Sequence, residues 1–254
     1  MRSEERSAVS RWRAADFAYR VEPADLPEWM DEPCSTDVLR GCLENLETMN
    51  RLTMSYRPTL EFLGRVIKRS SGRALHVVDV GSGYGDMLRV VARWAARHEV
   101  RLRLTGIDLN PQTAAIAGEA TFAAGMAKDV IEWRTGDAMT DPSMQRPDVV
   151  VSSLVTHHMA HGEIVRFVQW MERSARVGWF INDLERQATP ARGFSALARV
   201  LQWHPFLRHD GPVSFRRAFR VADWEVMLRE AEVPAGGARI AKRFPARLCV
   251  ERLR

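Results

Sequence analysis

Residues 77–86 read VVDVGSGYGD. Four residues suited to a buried strand run directly into a loop with glycine at positions 81, 83 and 85. Glycine at every second position lets a ligand approach the main chain with no Cβ in the way, and lets the chain adopt left-handed conformations. A strand followed by such a loop is how several open α/β folds hold a nucleotide-like ligand, and the flanking sequence has to decide which one.

Outward from that stretch, Leu75–Val80 is the expected first strand and Gly85–His98 an amphipathic helix. Leu102–Asp108 (LRLTGID) is a second strand, Pro111–Met126 a helix with proline in its first turn, and Val130–Arg134 a short third strand. Asp148–Ser152 predicts a fourth strand, Gly162–Ala175 a helix and Val177–Asn182 a fifth strand. Strands alternating with helices of this length predict βαβ units, a parallel sheet and right-handed crossovers. The pattern breaks after a helix at Val221–Glu232: RIAKRF (239–244) and RLCVERL (247–253) flank Pro245 and Ala246, which predicts an antiparallel hairpin.

Upstream, Pro23, Pro27 and Pro33 interrupt any long helix, and a helical pattern then begins at Ser35. Leu39, Leu43, Leu46, Met49 and Leu52 recur at three- and four-residue steps, and the pattern continues, with a break near Pro58, through Leu60, Leu63 and Ile67. Ser70, Ser71 and Gly72 divide a helical section, 1–70, from an α/β domain, 71–254.

A chain of 254 residues is long enough for one large α/β domain with a sizeable core. The formal charge of +5 invites a nucleic-acid reading, with 192–254 the most basic segment, but the arginines are scattered among 32 acidic residues and form no stripe. Cys34, Cys42 and Cys249 are odd in number and make no CxxC pair, so neither a disulfide framework nor a zinc ribbon is indicated. The charged start MRSEERSAVSRWR has no apolar leader segment and no long apolar run follows, so a cytoplasmic protein is expected.

The glycine order D-x-G-x-G-x-G departs from the dinucleotide pattern G-x-G-x-x-G, and no Gly-Lys-Ser/Thr follows to make a P-loop. Asp108 ends the second strand in GIDLNP, where a carboxylate can accept both ribose hydroxyls; NAD enzymes share this feature, while an NADP phosphate would be repelled. Asp137, in GDA after the third strand, can accept the adenine amino hydrogen bond. A short-chain dehydrogenase would need Tyr-x-x-x-Lys, and neither Tyr19, Tyr56 nor Tyr84 has a lysine four residues on. The closing hairpin is also foreign to the all-parallel dinucleotide fold.

Together VVDVGSGYGD, GIDLNP, TGDAM, PDVVVSSLVTHHM and the closing hairpin resemble the class I S-adenosylmethionine-dependent methyltransferases over residues 75–254. The resemblance implies an α/β fold: a doubly wound, seven-stranded, mostly parallel sheet in the order 3-2-1-4-5-7-6, strand 7 antiparallel, with an N-terminal helical cap. It implies S-adenosyl-L-methionine as cofactor, with Asp79, Gly81, Ser82 and Gly83 along its methionine side and Asp108 and Leu109 at ribose and adenine. Asp137 and Ala138 would take the adenine edge, and Ser152 or Ser153 would lie under the sulfonium.

Ligands of open α/β sheets sit beyond the carboxyl ends of the strands, which singles out SSLVTHHMAH after strand four and NDLERQ after strand five. Base methyltransferases of this class carry a D/N-P-P-Y/F tetrapeptide after strand four. Ser153, Leu154, Val155 and Thr156 stand there instead, which argues for a small molecule rather than a flipped base. A hydroxyl acceptor gains from a base that titrates near neutrality, so His158 and His157 are the catalytic candidates. Asp183 and His209, the latter in RHDGPVS, are candidates on the substrate side, and Trp170, Trp179 and Trp203 are expected in the core. Catechol-type members bind magnesium through an aspartate after strand four, where serine stands here. His157 and His161 lack a zinc-binding context, so no metal is expected.

MNRLTMSYRP, SSLVTHHM, GWFINDL and HDGPVSFRRAF further resemble a bacterial group often found beside type III polyketide synthases. That likeness implies O-methylation of a hydroxylated aromatic or polyketide in secondary metabolism. Where the group carries histidines after NDL, Glu185 and Gln187 stand here. C-methylation of a similar ring, or a non-catalytic partner that keeps the fold, are the alternatives, in a monomer or homodimer.

Overall fold

Seven strands hydrogen-bond into one sheet in the order β3-β2-β1-β4-β5-β7-β6: β1 (Leu75–Val80), β2 (Leu102–Asp108), β3 (Glu132–Thr135), β4 (Val149–Ser153), β5 (Gly178–Leu184), β6 (Arg239–Arg243) and β7 (Arg247–Leu253). The computed structural model describes residues 13–70, 72–141 and 146–254; the leaderless reading of the first twelve residues lies outside them. The first five strands pair in parallel, and β7 inserts antiparallel between β5 and β6. This is the order expected from the resemblance. Boundaries agree to within a few residues, the third strand starting later than expected, at Glu132.

Neighbouring side chains on a strand point to opposite faces, and the central strands bury both. Val77, Val149, Val151, Phe180 and Cys249 face one layer, while Val78, Ile107, Val150, Trp179, Ile181 and Val250 face the other. The first face is covered by α2 (Arg57–Arg69) and α3 (Asp86–Arg97), where Phe62 stacks on Phe180 with ring centroids 5.0 Å apart. The second is covered by α5 (His161–Ser174) and α8 (Val221–Glu230), with Phe167, Trp224 and Met227 fully buried. Each such buried side chain contributes roughly 1.5–3 kcal/mol of transfer free energy. Trp170, Trp179 and Trp203 are buried as expected. Helix α4 (Thr113–Ala123) packs on β2 and β3.

The expected N-terminal section divides between two tasks. Helix α1 (Thr36–Leu52), capped by Ser35, packs Leu39 and Leu43 toward Ile116 and Tyr84, over the glycine loop. Helix α2 instead belongs to the layer under the sheet. The break between them falls at residues 53–56, before Pro58, because a proline in the first turn gives up an N–H that the helix does not need. Three single 3-10 turns, Ala14–Phe17, Pro23–Asp25 and Trp29–Asp31, carry the proline-rich start.

Two further helices, α6 (Ala188–Val200) and α7 (Pro205–Arg217), occupy a stretch to which the sequence pattern assigns no element. Gly211 and Pro212 lie inside α7. A Cβ on Gly211 would stand 1.9 Å from the ring of Phe194, so this glycine permits the close approach of α6 and is no turn signal. Among the described residues no helix is long and apolar enough to cross a membrane.

Candidate active site

The strand order reverses between β1 and β4, so the loops leaving these two strands diverge and open a crevice at their carboxyl ends. Gly81, Gly83 and Gly85 line its start with φ of +72°, +48° and +75°, a region other residues enter at a cost. A Cβ at Gly81 would lie 2.3 Å from Val155 Cγ2, so this loop and the one after β4 touch through bare backbone. At the end of β2, Asp108 Oδ2 accepts the Gly83 N–H at 2.8 Å and Oδ1 the Asn110 N–H at 2.9 Å, tying the two loops together. Burial raises the Asp108 carboxyl, and these N–H donors pull it back. Asp137 Oδ1 takes the Met139 N–H at 2.9 Å, Ala138 is buried behind it, and Leu109 projects with 72 % of its surface exposed.

The crevice floor holds polar atoms without partners. Asp79 is 2 % exposed and its Oδ1 has no hydrogen bond; burial, then the charges of Asp86 and Asp108, push its carboxyl well above the usual range. Ser152 Oγ donates to the Val80 carbonyl at 3.0 Å, whereas the buried Ser153 Oγ has no partner. Buried polar atoms are paired in more than nine cases in ten, so orphans gathered beside a bare glycine loop mark a place for a ligand with donor groups. An adenosine carrying an amino acid, with ribose hydroxyls for Asp108 and an ammonium group for the acids, fits this donor and acceptor set.

A second group of side chains gathers where β4 ends. Leu154, at φ +59°, turns the chain into a 3-10 turn, Thr156–His158. His157 Nδ1 lies 2.7 Å from Asp183 Oδ1, and the other Asp183 oxygen accepts Thr156 Oγ1 at 2.5 Å and the His157 N–H at 3.1 Å. The Leu184 N–H adds a fourth donor at 2.7 Å. Burial alone would raise the Asp183 carboxyl, but the adjoining His157 imidazole and these donors hold it well below the ordinary carboxylate range. An ionised Asp183 accepts only, so Nδ1 is the protonated nitrogen of His157 and Nε2 points the other way.

His158 is held in the same manner. Its Nδ1 lies 2.9 Å from Asp31 Oδ1, and its Nε2 stands 3.8 Å from Glu28 Oε2. Arg217, fully buried, donates to Asp31 Oδ2 at 2.7 Å and lies 3.3 Å from Glu28 Oε1, which also accepts Ser214 Oγ at 2.8 Å. Burial lifts the Glu28 carboxyl to about 7, against the attraction of His158 and Arg217. The Trp29–Asp31 turn that presents these acids is fastened to α7. Asp210 accepts the Trp29 and Met30 N–H groups at 2.9 and 3.1 Å, and His209 stacks on Trp29 at 4.1 Å.

Asp79, Gly81, Ser82, Gly83, Asp108, Leu109, Asp137 and Ala138 therefore stand at the ends of β1 to β3, with Ser153 at the end of β4 and His157 and His158 just beyond it. Two expectations shift. Asp183, read as a substrate contact, has no exposed surface and stands behind His157 as its orienting carboxylate. His209, read as a substrate-side candidate, is in α7, stacked on Trp29 and bonded to Asp210 at 2.7 Å. His161 turns away to Glu230 at 2.6 Å, Glu185 pairs with Lys242, and Gln187 precedes α6 without a side-chain capping bond. Glu28, Asp31 and Arg217 were missed: nothing in the sequence joins position 28 to 157 or 217, and the one available signal was three acids around a tryptophan between Pro27 and Pro33.

A model of the methyltransferase domain family matches residues 77–178. No curated protein matches the chain. Among solved structures it is similar to magnesium protoporphyrin IX methyltransferase (ChlM) from Synechocystis PCC 6803 with bound SAM, at 14 % identity and TM-score 0.51, covering 78 % of this chain and 79 % of that one. A SAM-dependent methyltransferase from Aquifex aeolicus aligns at 15 % identity and TM-score 0.58, covering 87 % and 99 %. The plantazolicin methyltransferase BpumL in complex with SAH aligns at 11 % and 0.60, covering 86 % and 96 %. At these identities the likeness is one of fold. Strand order and neighbours agree on one fold, that of the class I methyltransferases, and the stretch 77–178 matches the methyltransferase domain model.

Proposed function

We propose that the chain moves a methyl group from S-adenosyl-L-methionine to a hydroxyl of a small hydroxylated aromatic or polyketide. The observation that carries this reading is His157: nearly fully buried at the end of β4, with Nδ1 fixed on an ionised Asp183 and Nε2 left to accept a proton.

Asp79, Gly81, Ser82 and Gly83 would hold the cofactor's amino-acid end, Asp108 and Leu109 its ribose and adenine face, and Asp137 and Ala138 the adenine edge. When bound, S-adenosylmethionine supplies an electrophilic methyl group on a sulfonium. The chain's own residues have to align the acceptor, exclude water and take its proton. Helices α1 and α7 and the Trp29 turn roof the crevice, and such positioning contributes up to about 7–11 kcal/mol in the best cases. His157 Nε2 takes the hydroxyl proton while Nδ1–H donates to Asp183, whose charge stabilises the imidazolium formed; a positioned base is worth about 10²–10⁴-fold. His158, held by Asp31, stands next to it with ring centroids 4.3 Å apart and fixes the space left for the acceptor.

Incubation with methyl-labelled S-adenosylmethionine and a panel of phenols and hydroxylated polyketides tests this, with NMR assigning the labelled carbon to oxygen or carbon. The expected product is a methyl ether, formed about 10²–10⁴-fold more slowly by His157→Ala at unchanged S-adenosylhomocysteine affinity. Methyl groups on ring carbon, at a rate indifferent to His157, would replace O-methylation with C-methylation. Cofactor binding with no transfer to any acceptor would leave a non-catalytic partner.

A further inference from the structure

We propose that Glu28, His157 and His158 form a binding site for one divalent transition-metal ion, zinc being the best match. One donor atom from each lies within 4.8 Å of the others, on residues that are buried or half-buried. The two imidazoles commit their Nδ1 protons outward, to Asp183 at 2.7 Å and Asp31 at 2.9 Å. That leaves each imidazole an Nε2 lone pair for an ion, beside the Glu28 carboxyl. His158 Nε2 and Glu28 Oε2, 3.8 Å apart, are too distant to share a hydrogen bond. Acceptors arranged this way repel unless a proton or a metal cation separates them.

The surroundings suit a cation. Glu28, Asp31 and Asp183 set three carboxylates around the two imidazoles; Arg217 is ion-paired with the first two, and Arg20 and the buried Arg247 act on Asp183 from further off. Asp210, the next acid outward, is already paired with His209. Carboxylates on the far nitrogens of both imidazoles are the arrangement that orients metal-ligating histidines and strengthens them as donors. Two imidazoles and one carboxylate suit zinc, cobalt or iron and discriminate against magnesium, which prefers oxygen alone. Zinc–ligand bonds of about 2.0–2.2 Å require only a small inward movement of the half-exposed His158, and three protein ligands leave one position open. An ion here takes the place of the proton. The binding site stands on this geometry alone: with the ion bound, His157 is a ligand, and in the ion-free chain it is the base of the methyl-transfer reading.

The test is cobalt and zinc titration of untagged full-length protein stripped with a chelator. Cobalt should give d–d absorption that saturates at one ion per chain, should be displaced by zinc, and should persist in millimolar magnesium. Glu28→Gln and His158→Gln should each weaken binding by about 100-fold or more, and Asp31→Asn and Asp183→Asn by about 10–100-fold. S-adenosylhomocysteine binding by each variant confirms that it has folded. Absent d–d bands, or unaltered affinity in folded Glu28→Gln and His158→Gln proteins, would overturn the site, as would displacement of cobalt by magnesium as easily as by zinc. Metal-free protein that binds S-adenosylhomocysteine but no ion defeats this proposal and leaves methyl transfer standing. Ion uptake without S-adenosylhomocysteine binding does the reverse.

Discussion

The two ends of the crevice are built by different means. The cofactor end is made of main chain: three glycines at positive φ and short loops after consecutive strands, with Asp108 reaching the loop only 25 residues before it. The acceptor end is made of side chains brought from four distant segments, Glu28 and Asp31, His157 and His158, Asp183, and Arg217. Its bonds span 127 residues from Asp31 to His158 and 186 from Asp31 to Arg217. A backbone cradle follows wherever the first three strands form, and its ligand varies little. A side-chain cluster can be exchanged residue by residue without touching the sheet. On the proposed function, the fold thus separates a fixed methyl donor from a changeable acceptor.

That separation breaks first, if it breaks, at Asp183→Asn. The amide no longer fixes the His157 tautomer, so the methylation rate should fall by about 10²–10⁴-fold while S-adenosylhomocysteine affinity is unchanged. Equal losses in rate and affinity, by steady-state kinetics and calorimetry, would show the two ends to be one. Next in size is Arg217→Met. Removing a fully buried guanidinium leaves Glu28 and Asp31 uncompensated, and urea denaturation should record a loss of about 3–5 kcal/mol. A change near zero would mean that the acids are satisfied without it.

Gly81→Ala probes the other end. The φ of +72° and the 2.3 Å approach to Val155 predict about 1–3 kcal/mol of lost stability, together with loss of S-adenosylhomocysteine binding. An alanine that binds normally would deny the bare-backbone role.

The smallest effect is a slope. Burial raises the folded-state pKa of Asp79 above its unfolded value of about 3.9. The folded chain therefore keeps a proton that the unfolded chain has lost. The stabilisation is fully present below about pH 4 and fades as pH rises through the raised value. The stability difference between wild type and Asp79→Asn should fall with rising pH in urea titrations, and a flat difference would place Asp79 in contact with water.

The same contrast explains what the sequence reveals. Alternating strands and helices and the glycine spacing are local, so the strands and the positions of Asp79, Asp108 and Asp137 along them could be read directly, while the sheet order came with the family resemblance. His157 and His158 could be found because they follow β4 in the chain. Asp183 was noticed and misplaced, since a residue number does not say whether a carboxylate faces the crevice or the back of an imidazole. Glu28 and Arg217 were invisible, because only the docking of the Trp29 turn on α7 brings them beside His158. Helices α6 and α7 were obscured by Gly211 and Pro212, whose turn chemistry gives way to close packing against Phe194.

Calorimetric titration with S-adenosylhomocysteine, of the wild type beside Asp108→Ala and His157→Ala, tests the central claim most directly. One ligand should bind per wild-type chain and per His157→Ala chain, with binding lost or severely weakened in Asp108→Ala. Absence of heat with the wild type, or equal binding by Asp108→Ala, would contradict the account.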